Sequence, residues 1–195
     1  MSRAFFNSRA AVWDATVAES DTSKLQRMAN RLHIPLGALI LDVGTGTGVF
    51  LPYLVDMIGD EGKVVALDVA EEMLRMALAK PLDGGVHYLQ ATTTSLPLPG
   101  EQFDAVVCYS SFPHLQPLGE SLRELYRVLR QAGRILICHT SSRAKINDIH
   151  RTIDAVSDHL IPDEHEMGRI LSVAGFRDIT ISDREDSYLA TATKS

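Results

Sequence analysis

The chain has 195 residues, 45% of them apolar, and its 25 acidic side chains outnumber 19 basic ones for a net charge of -6. That length suits one domain whose core needs no disulfide or metal to hold it. The acidic balance argues against a nucleic-acid partner, which would ask for a basic stripe, and no apolar run approaches the eighteen or so residues of a membrane span. Met1 to Asn7 lack the apolar core of a signal peptide, and Cys108 and Cys138 fall in apolar strands. A cytoplasmic protein with reduced, buried thiols is therefore expected.

In chain order, two helical stretches, Ser8 to Val17 and Ser23 to Leu32, precede an apolar strand that stops in Asp42-Val43-Gly44-Thr45-Gly46-Thr47-Gly48. Glycines take positive φ and carry no Cβ, so the backbone turns sharply and a ligand lies against bare peptide NH groups where the next helix begins. A dinucleotide fingerprint would place Gly or Ala at position 49, where this chain has Val49. Lys63 to Leu67 form a second strand that ends in Asp68, twenty residues beyond Gly48, where a carboxylate takes ribose hydroxyls. The alternative for Asp68 is a cap on the helix Glu71 to Ala79. Val69 and Met73 offer apolar cover for a purine. Strands follow at Val86 to Gln90 and Phe103 to Ser110, then a helix, a glycine turn and a strand across Leu122 to Ile137. A helical segment carries Ile146, Ile149 and Ile153 on one face, read as core. Two short strands after Ala174-Gly175-Phe176 finish the chain. Alternating strands and helices without a linker describe one doubly wound α/β domain, residues 1–195, with ligands at the carboxyl ends of its strands.

The run Ile40 to Gly48 resembles motif I of the class I S-adenosylmethionine (SAM) methyltransferases, and the resemblance continues through residues 36 to 140, most closely to the type 11 group that includes the ubiquinone and menaquinone enzymes. It implies a mostly parallel seven-stranded sheet with helices on both faces and an antiparallel terminal strand, and SAM as cofactor. Asp42 would order the motif and the amino end of SAM, and Gly44, Thr45, Gly46, Thr47 and Gly48 would face its methionine portion. Asp68 would hold the ribose, while Val69, Met73, Ala91 and Thr92 flank adenine and Cys108 joins the cofactor wall. Many relatives have Asp four residues before the Leu96-Pro97 pair, where this chain has Thr92, so a hydroxyl or the backbone replaces that carboxylate. Residues 1–35 would form a helical lid closed by Trp13 and Phe5 or Phe6, or simply a helix packed on the sheet.

The substrate side is left to strand ends rich in histidine: His114 after the fourth strand, His139 at the end of the fifth, and His150 in the helical segment beyond. One of them would act as base toward a small-molecule acceptor, with Tyr109, Ser110 and Ser111 beside the methionine part or the substrate. Alternatively His114, His139 and His150 would bind a divalent metal such as zinc, with an open position for a substrate thiol, or all three are structural. His33, His87, His159 and His165 have no convergent context. Arg143, Lys145 and Arg151 would hold an anionic substrate or simply face solvent. The enzyme is expected as a monomer or homodimer; the rival classes are a non-catalytic SAM-binding or sensing module and a nucleotide-dependent oxidoreductase.

Overall fold

Short apolar runs, buried on both faces, build the centre of a sheet, as parallel strands covered by helices require. In the computed structural model, which describes residues 3–82 and 84–195, β1 (Leu39–Val43), β2 (Lys63–Asp68), β3 (Val86–Gln90), β4 (Phe103–Tyr109) and β5 (Leu129–His139) run parallel. β6 (Phe176–Arg184) and β7 (Ser187–Lys194) pair antiparallel to each other, and β7 lies antiparallel to β5. The order is β3-β2-β1-β4-β5-β7-β6, the doubly wound seven-stranded arrangement expected, with its reversal between β1 and β4. Met1, Ser2 and Asp83 lie outside the described residues.

Alternation of side chains along each strand divides the core in two. Leu41, Val43, Val106, Cys108, Ile135 and Ile137 face one layer, and Ile40, Ala66, Val107, Leu136 and Cys138 the other. Each buried aliphatic contributes about 1.5–3 kcal/mol, so the central strands fix the sheet to which the loops are attached. The Asp21 carboxylate opens helix α3 (Thr22–Leu32), accepting from Ser23 N at 2.9 Å. The far end is satisfied by Arg134, which donates to the carbonyls of Leu32 and His33 at 2.7 and 2.8 Å.

Three readings change. The first helix starts at Arg3, not Ser8: α1 (Arg3–Arg9) passes through a 3-10 turn into α2 (Trp13–Thr16). Its early start is tertiary in origin, because Phe6 and Ala10 bury themselves against Ala70 and Met73, next to helix α5 (Glu71–Leu78). Arg3 and Asn7 both donate to Glu71 at 2.7 and 3.1 Å, and Asn7, then Arg3, pull that carboxyl down to about 2. The glycine turn after helix α6 (Leu118–Val128) is absorbed into β5 as a bulge. Phe103 opposes Leu129 and Ala105 opposes Arg134, so residues 130–133 bulge from the ladder. A Cβ on Gly133 would lie 2.8 Å from the Arg130 carbonyl, which is why glycine sits there. Finally, the isoleucine face is not all core. Ile146 is buried in α7 (Arg143–Arg151), but Ile149 is 49% exposed and Ile153 falls beyond the helix.

Candidate active site

The carboxyl ends of β1, β2, β4 and β5 surround a cavity of about 260 Å³. Gly44, Thr45, Gly46, Thr47, Asp68 and Met73 line one side; Tyr109, His114, His139 and His150 line another. A smaller cavity of about 40 Å³ adjoins it, lined by Val69, Ala91 and Thr92 and sharing Gly44, Asp68 and His114 with the first. Most of the expected site residues thus meet in one place. Asp42, Gly48 and Cys108 do not reach either cavity. Cys108 is wholly buried in the apolar core, and Gly48 serves packing: a Cβ there would meet Ala77 and Leu51 at 3.1 Å.

The glycine loop differs from the expectation of free amides at a helix start. Gly44 N and Thr45 N donate to the Leu67 carbonyl at 2.8 and 2.9 Å, and Gly48 N donates to the Thr45 carbonyl at 2.9 Å. Gly46 N donates to Asp68 Oδ2 at 2.9 Å. Helix α4 (Leu51–Ile58) begins three residues after Gly48. The loop therefore offers a ligand its bare Cα surface rather than these NH groups, an arrangement suited to a cation as much as to an anion. Gly46, at φ +56°, has no atom within 4 Å of where a Cβ would stand, so its open side faces ligand space.

Asp68 carries two duties. Its carboxylate also accepts from Ala70 N at 2.8 Å, ahead of α5, but Ala70 is the residue at the N-cap and no side chain caps that helix, so the capping alternative is not what the structure shows; Asp68 lines both cavities. Burial raises its pKa, against the pull of the Ala70, Gly46 and Val69 amides. Asp42 lies beneath the loop, and burial pushes its carboxyl up to about 7, with Asp68 adding to the rise. The Thr45 hydroxyl lies close enough to Asp42 to oppose that rise, yet makes no hydrogen bond of regular geometry. That buried Oγ1 without a partner lines the large cavity.

Tyr109 forms a wall, stacked on Phe50 at 4.3 Å with its hydroxyl 3.3 Å from Thr140 Oγ1. Burial pushes its pKa up to about 12, so it stays a neutral phenol. Ser111 donates to the Val43 carbonyl and packs against Gly44. His139 is buried, its pKa driven down to about 3 by burial and then by His150, and its Nε2 has no hydrogen-bond partner.

The histidines form a cluster with a member that sequence reasoning missed. The His114 and His150 ring centroids are 4.9 Å apart, and His114 Nδ1 lies 2.9 Å from Nδ1 of His159. Burial, then His150 and His159, drive the His114 pKa well below the usual imidazole value. His159 arrives from the loop after α7, a placement fixed by Asn147, whose side chain holds the backbone of Ile161 in both directions at 2.9 and 2.8 Å. No motif marks it; only the fold brings it to His114. Among the described residues, no group of three or more His, Cys, Asp or Glu side chains is set to hold a metal ion. The zinc reading of His114, His139 and His150 therefore has no ligand geometry behind it. Arg143 and Arg151 pair with Asp183 and Asp148 instead of entering the cavity.

The leader completes the enclosure. Phe6 meets the His114 ring edge-on at 5.3 Å, and Trp13, Val17 and Glu19 also line the large cavity. Asp14 accepts from the Thr47 hydroxyl and pairs with Lys80 at 2.6 Å, tying the leader to the glycine loop.

A doubly wound sheet with an antiparallel seventh strand beside β5, and a glycine loop answered by an acid at the end of β2, is the framework of a nucleoside-cofactor transferase. A family model described as a methyltransferase domain matches residues 41–137. The ubiquinone/menaquinone biosynthesis C-methyltransferase UbiE of Vibrio parahaemolyticus is 33% identical over 140 residues, 70% of this chain and 52% of that protein. The Escherichia fergusonii UbiE is 34% identical over 130 residues, 65% of this chain and 51% of that one. The chain thus spans about half the length of these curated relatives. Among solved structures, a SAM-dependent methyltransferase from Aquifex aeolicus superposes with a TM-score of 0.77 at 25% identity, covering 100% of both chains. A Haemonchus contortus phosphoethanolamine N-methyltransferase shares the fold at a TM-score of 0.76 and 14% identity, over 99% of this chain and 57% of that one. The chain belongs to the class I SAM-dependent methyltransferases and is related to the ubiquinone/menaquinone C-methyltransferases. Its cofactor is SAM, and the residues present fit that molecule: open space above the Gly46 Cα, and the carboxyl groups of Glu19 and Asp68 in a cavity with no Lys or Arg in its lining.

Proposed function

We propose that the chain catalyses methyl transfer from SAM to a small-molecule acceptor, with His114 receiving the acceptor's proton. The observation that carries this reading is one cavity with the glycine loop and Asp68 on one wall and His114, His139 and His150 on another. SAM supplies an electrophilic methyl group whose departure turns a sulfonium into a neutral thioether. The protein's part is to align the acceptor atom, exclude water and take its proton. His114 is suited to this because burial keeps it neutral at pH 7 with a lone pair to offer. Its weakened basicity is offset by charge balance. The positive charge lost from sulfur reappears on the imidazolium, so the cavity that holds Glu19 and Asp68 keeps its net charge. His139 Nε2, unpartnered at the same wall, would hold a polar group of the acceptor. Phe6, Trp13 and Met73 supply the apolar enclosure, the lid role of the leader. Among the described residues no helix is long and apolar enough to cross a membrane.

Calorimetry should show binding of SAM and S-adenosylhomocysteine and none of nicotinamide dinucleotides, since Val49 stands where the dinucleotide fingerprint needs a small residue. Transfer of labelled methyl to a panel of hydroxyl, thiol, amine and acidic-carbon acceptors should then fall at least 100-fold in His114→Gln, as loss of a general base does, with SAM affinity nearly unchanged. Binding of NAD without SAM sinks the assignment, and SAM binding with no transfer to any acceptor leaves the sensing module.

A further inference from the structure

Resting on the reading of His114 as proton acceptor, we propose that His159 is a positioning residue that fixes the tautomers of His114 and His150, leaving both Nε2 lone pairs for the cavity. The His159 backbone carbonyl faces His150 Nδ1. A carbonyl only accepts, so that nitrogen carries the hydrogen and the neutral ring keeps its lone pair at Nε2. Between His159 Nδ1 and His114 Nδ1, 2.9 Å apart, one nitrogen must donate and the other accept. The far side of His159 decides which. Its Nε2 lies 3.7 Å from the exposed Asp158 carboxylate, too far for a direct hydrogen bond, but the negative charge on that side favours the His159 hydrogen on Nε2 and leaves Nδ1 as the acceptor. His114 therefore donates from Nδ1 and holds its lone pair at Nε2.

Among the described residues, Asp158, His114 and His150 are the titratable side chains set against His159. The loop is anchored on both sides of the residue, by the His159 amide on the Val156 carbonyl at 2.9 Å and by the Asn147 grip on Ile161. When His114 Nε2 takes a proton from the acceptor, the Nδ1 hydrogen stays on its bond to His159, which orients and stabilises the imidazolium. No second proton has to move.

Histidine-selective ¹⁵N labelling of the full chain and long-range ¹H–¹⁵N spectra at pH 8 read these tautomers directly and need no acceptor. We expect the ring hydrogen on Nδ1 of His114 and His150 and on Nε2 of His159, with a coupling across the His114–His159 hydrogen bond. In His159→Ala, His114 should shift toward the Nε2-protonated form, whereas His150 should not, because its partner is the backbone carbonyl that the variant retains. A wild-type His159 protonated on Nδ1, or a His114 tautomer unmoved by the substitution, overturns the assignment. The wild-type spectrum decides alone where the variant does not fold. S-adenosylhomocysteine titrated into the same samples separates the two levels: absence of binding sinks the methyltransferase reading, while binding with the wrong tautomers sinks only the role of His159.

Discussion

Adding one methyl group at Gly44 tests how the glycine loop is built. Gly44 has φ +70°, and a Cβ there would stand 2.5 Å from Ser111 Cβ and 3.2 Å from its Oγ. Ser111 is buried and hydrogen-bonded to the carbonyl of Val43, the last residue of β1, so it has little freedom to retreat. Three costs follow: about 1–2 kcal/mol for an L residue in the left-handed region, about 1–3 for overpacking, and about 1 for the strained serine hydrogen bond. Gly44→Ala should lose roughly 3–6 kcal/mol of stability in urea denaturation, the sum of those three. Gly46→Ala is the control. Its φ of +56° carries the same left-handed cost, but no atom lies within 4 Å of the new methyl. It should lose only about 1–2 kcal/mol. Because that methyl enters the cavity, S-adenosylhomocysteine should bind at least tenfold more weakly, a difference of about 1.4 kcal/mol or more. A double-mutant cycle with Ser111→Gly should show coupling of about 1–3 kcal/mol, the part due to the clash. Equal destabilisation by the two glycine substitutions, or full additivity in the cycle, would refute this account of the loop.

Asp42 ties stability to pH. Its folded pKa of about 7 lies above the ordinary 3.8, so between those values the folded state binds more protons and stability falls as pH rises. The cost is absent below the lower value and fully present above the upper, on the order of 4 kcal/mol at 1.36 kcal/mol per unit. Asp42→Asn should therefore be more stable than the wild type at pH 8 and flatter from pH 4 to 7 in urea unfolding. A variant less stable at pH 8 would mean that the charge is compensated. Asp68→Ala removes acceptors from both Gly46 N and Ala70 N. It should lower stability by about 3 kcal/mol and S-adenosylhomocysteine affinity at least tenfold, with each charge-assisted bond contributing about 1.5–3 kcal/mol. Intact affinity in a folded Asp68→Ala protein would leave this residue with only its structural bonds to Gly46 N and Ala70 N.

The sheet was legible because its signals are local. Apolar runs such as Ile135 to Cys138, each ending at a turn or an acid, read as buried parallel strands, and their order in sequence limits the topology. That Gly44 to Thr47 and Asp68 share one cavity was legible for the same reason: they stand at fixed offsets from strand ends. Where local reading failed, a distant partner had overruled it. Helix α1 starts early because Phe6 finds Ala70 and Met73, and the loop amides are unavailable because Leu67 and Asp68 take them. Cys108 was misplaced by its position near a strand end, since alternation along β4 turns it into the core.

The histidine side of the cavity is where the sequence stops being informative, and the reason lies in how it is assembled. His114, His150 and His159 come from the segment after β4, from α7 and from the loop beyond it, and the contact that organises them joins residues 45 apart in the chain. Position at the strand ends left a base, a metal site and purely structural roles open for His114, His139 and His150. The fold instead spends one nitrogen of His114 and one of His150 on His159, leaving each with a single nitrogen for chemistry. The rings are not set to hold a metal ion, and one nitrogen held, one free, and burial that keeps the ring neutral suit the proposed proton acceptor. The glycine-loop side of the cavity thus follows from local backbone geometry, whereas the histidine side is made by side chains that only the tertiary fold gathers.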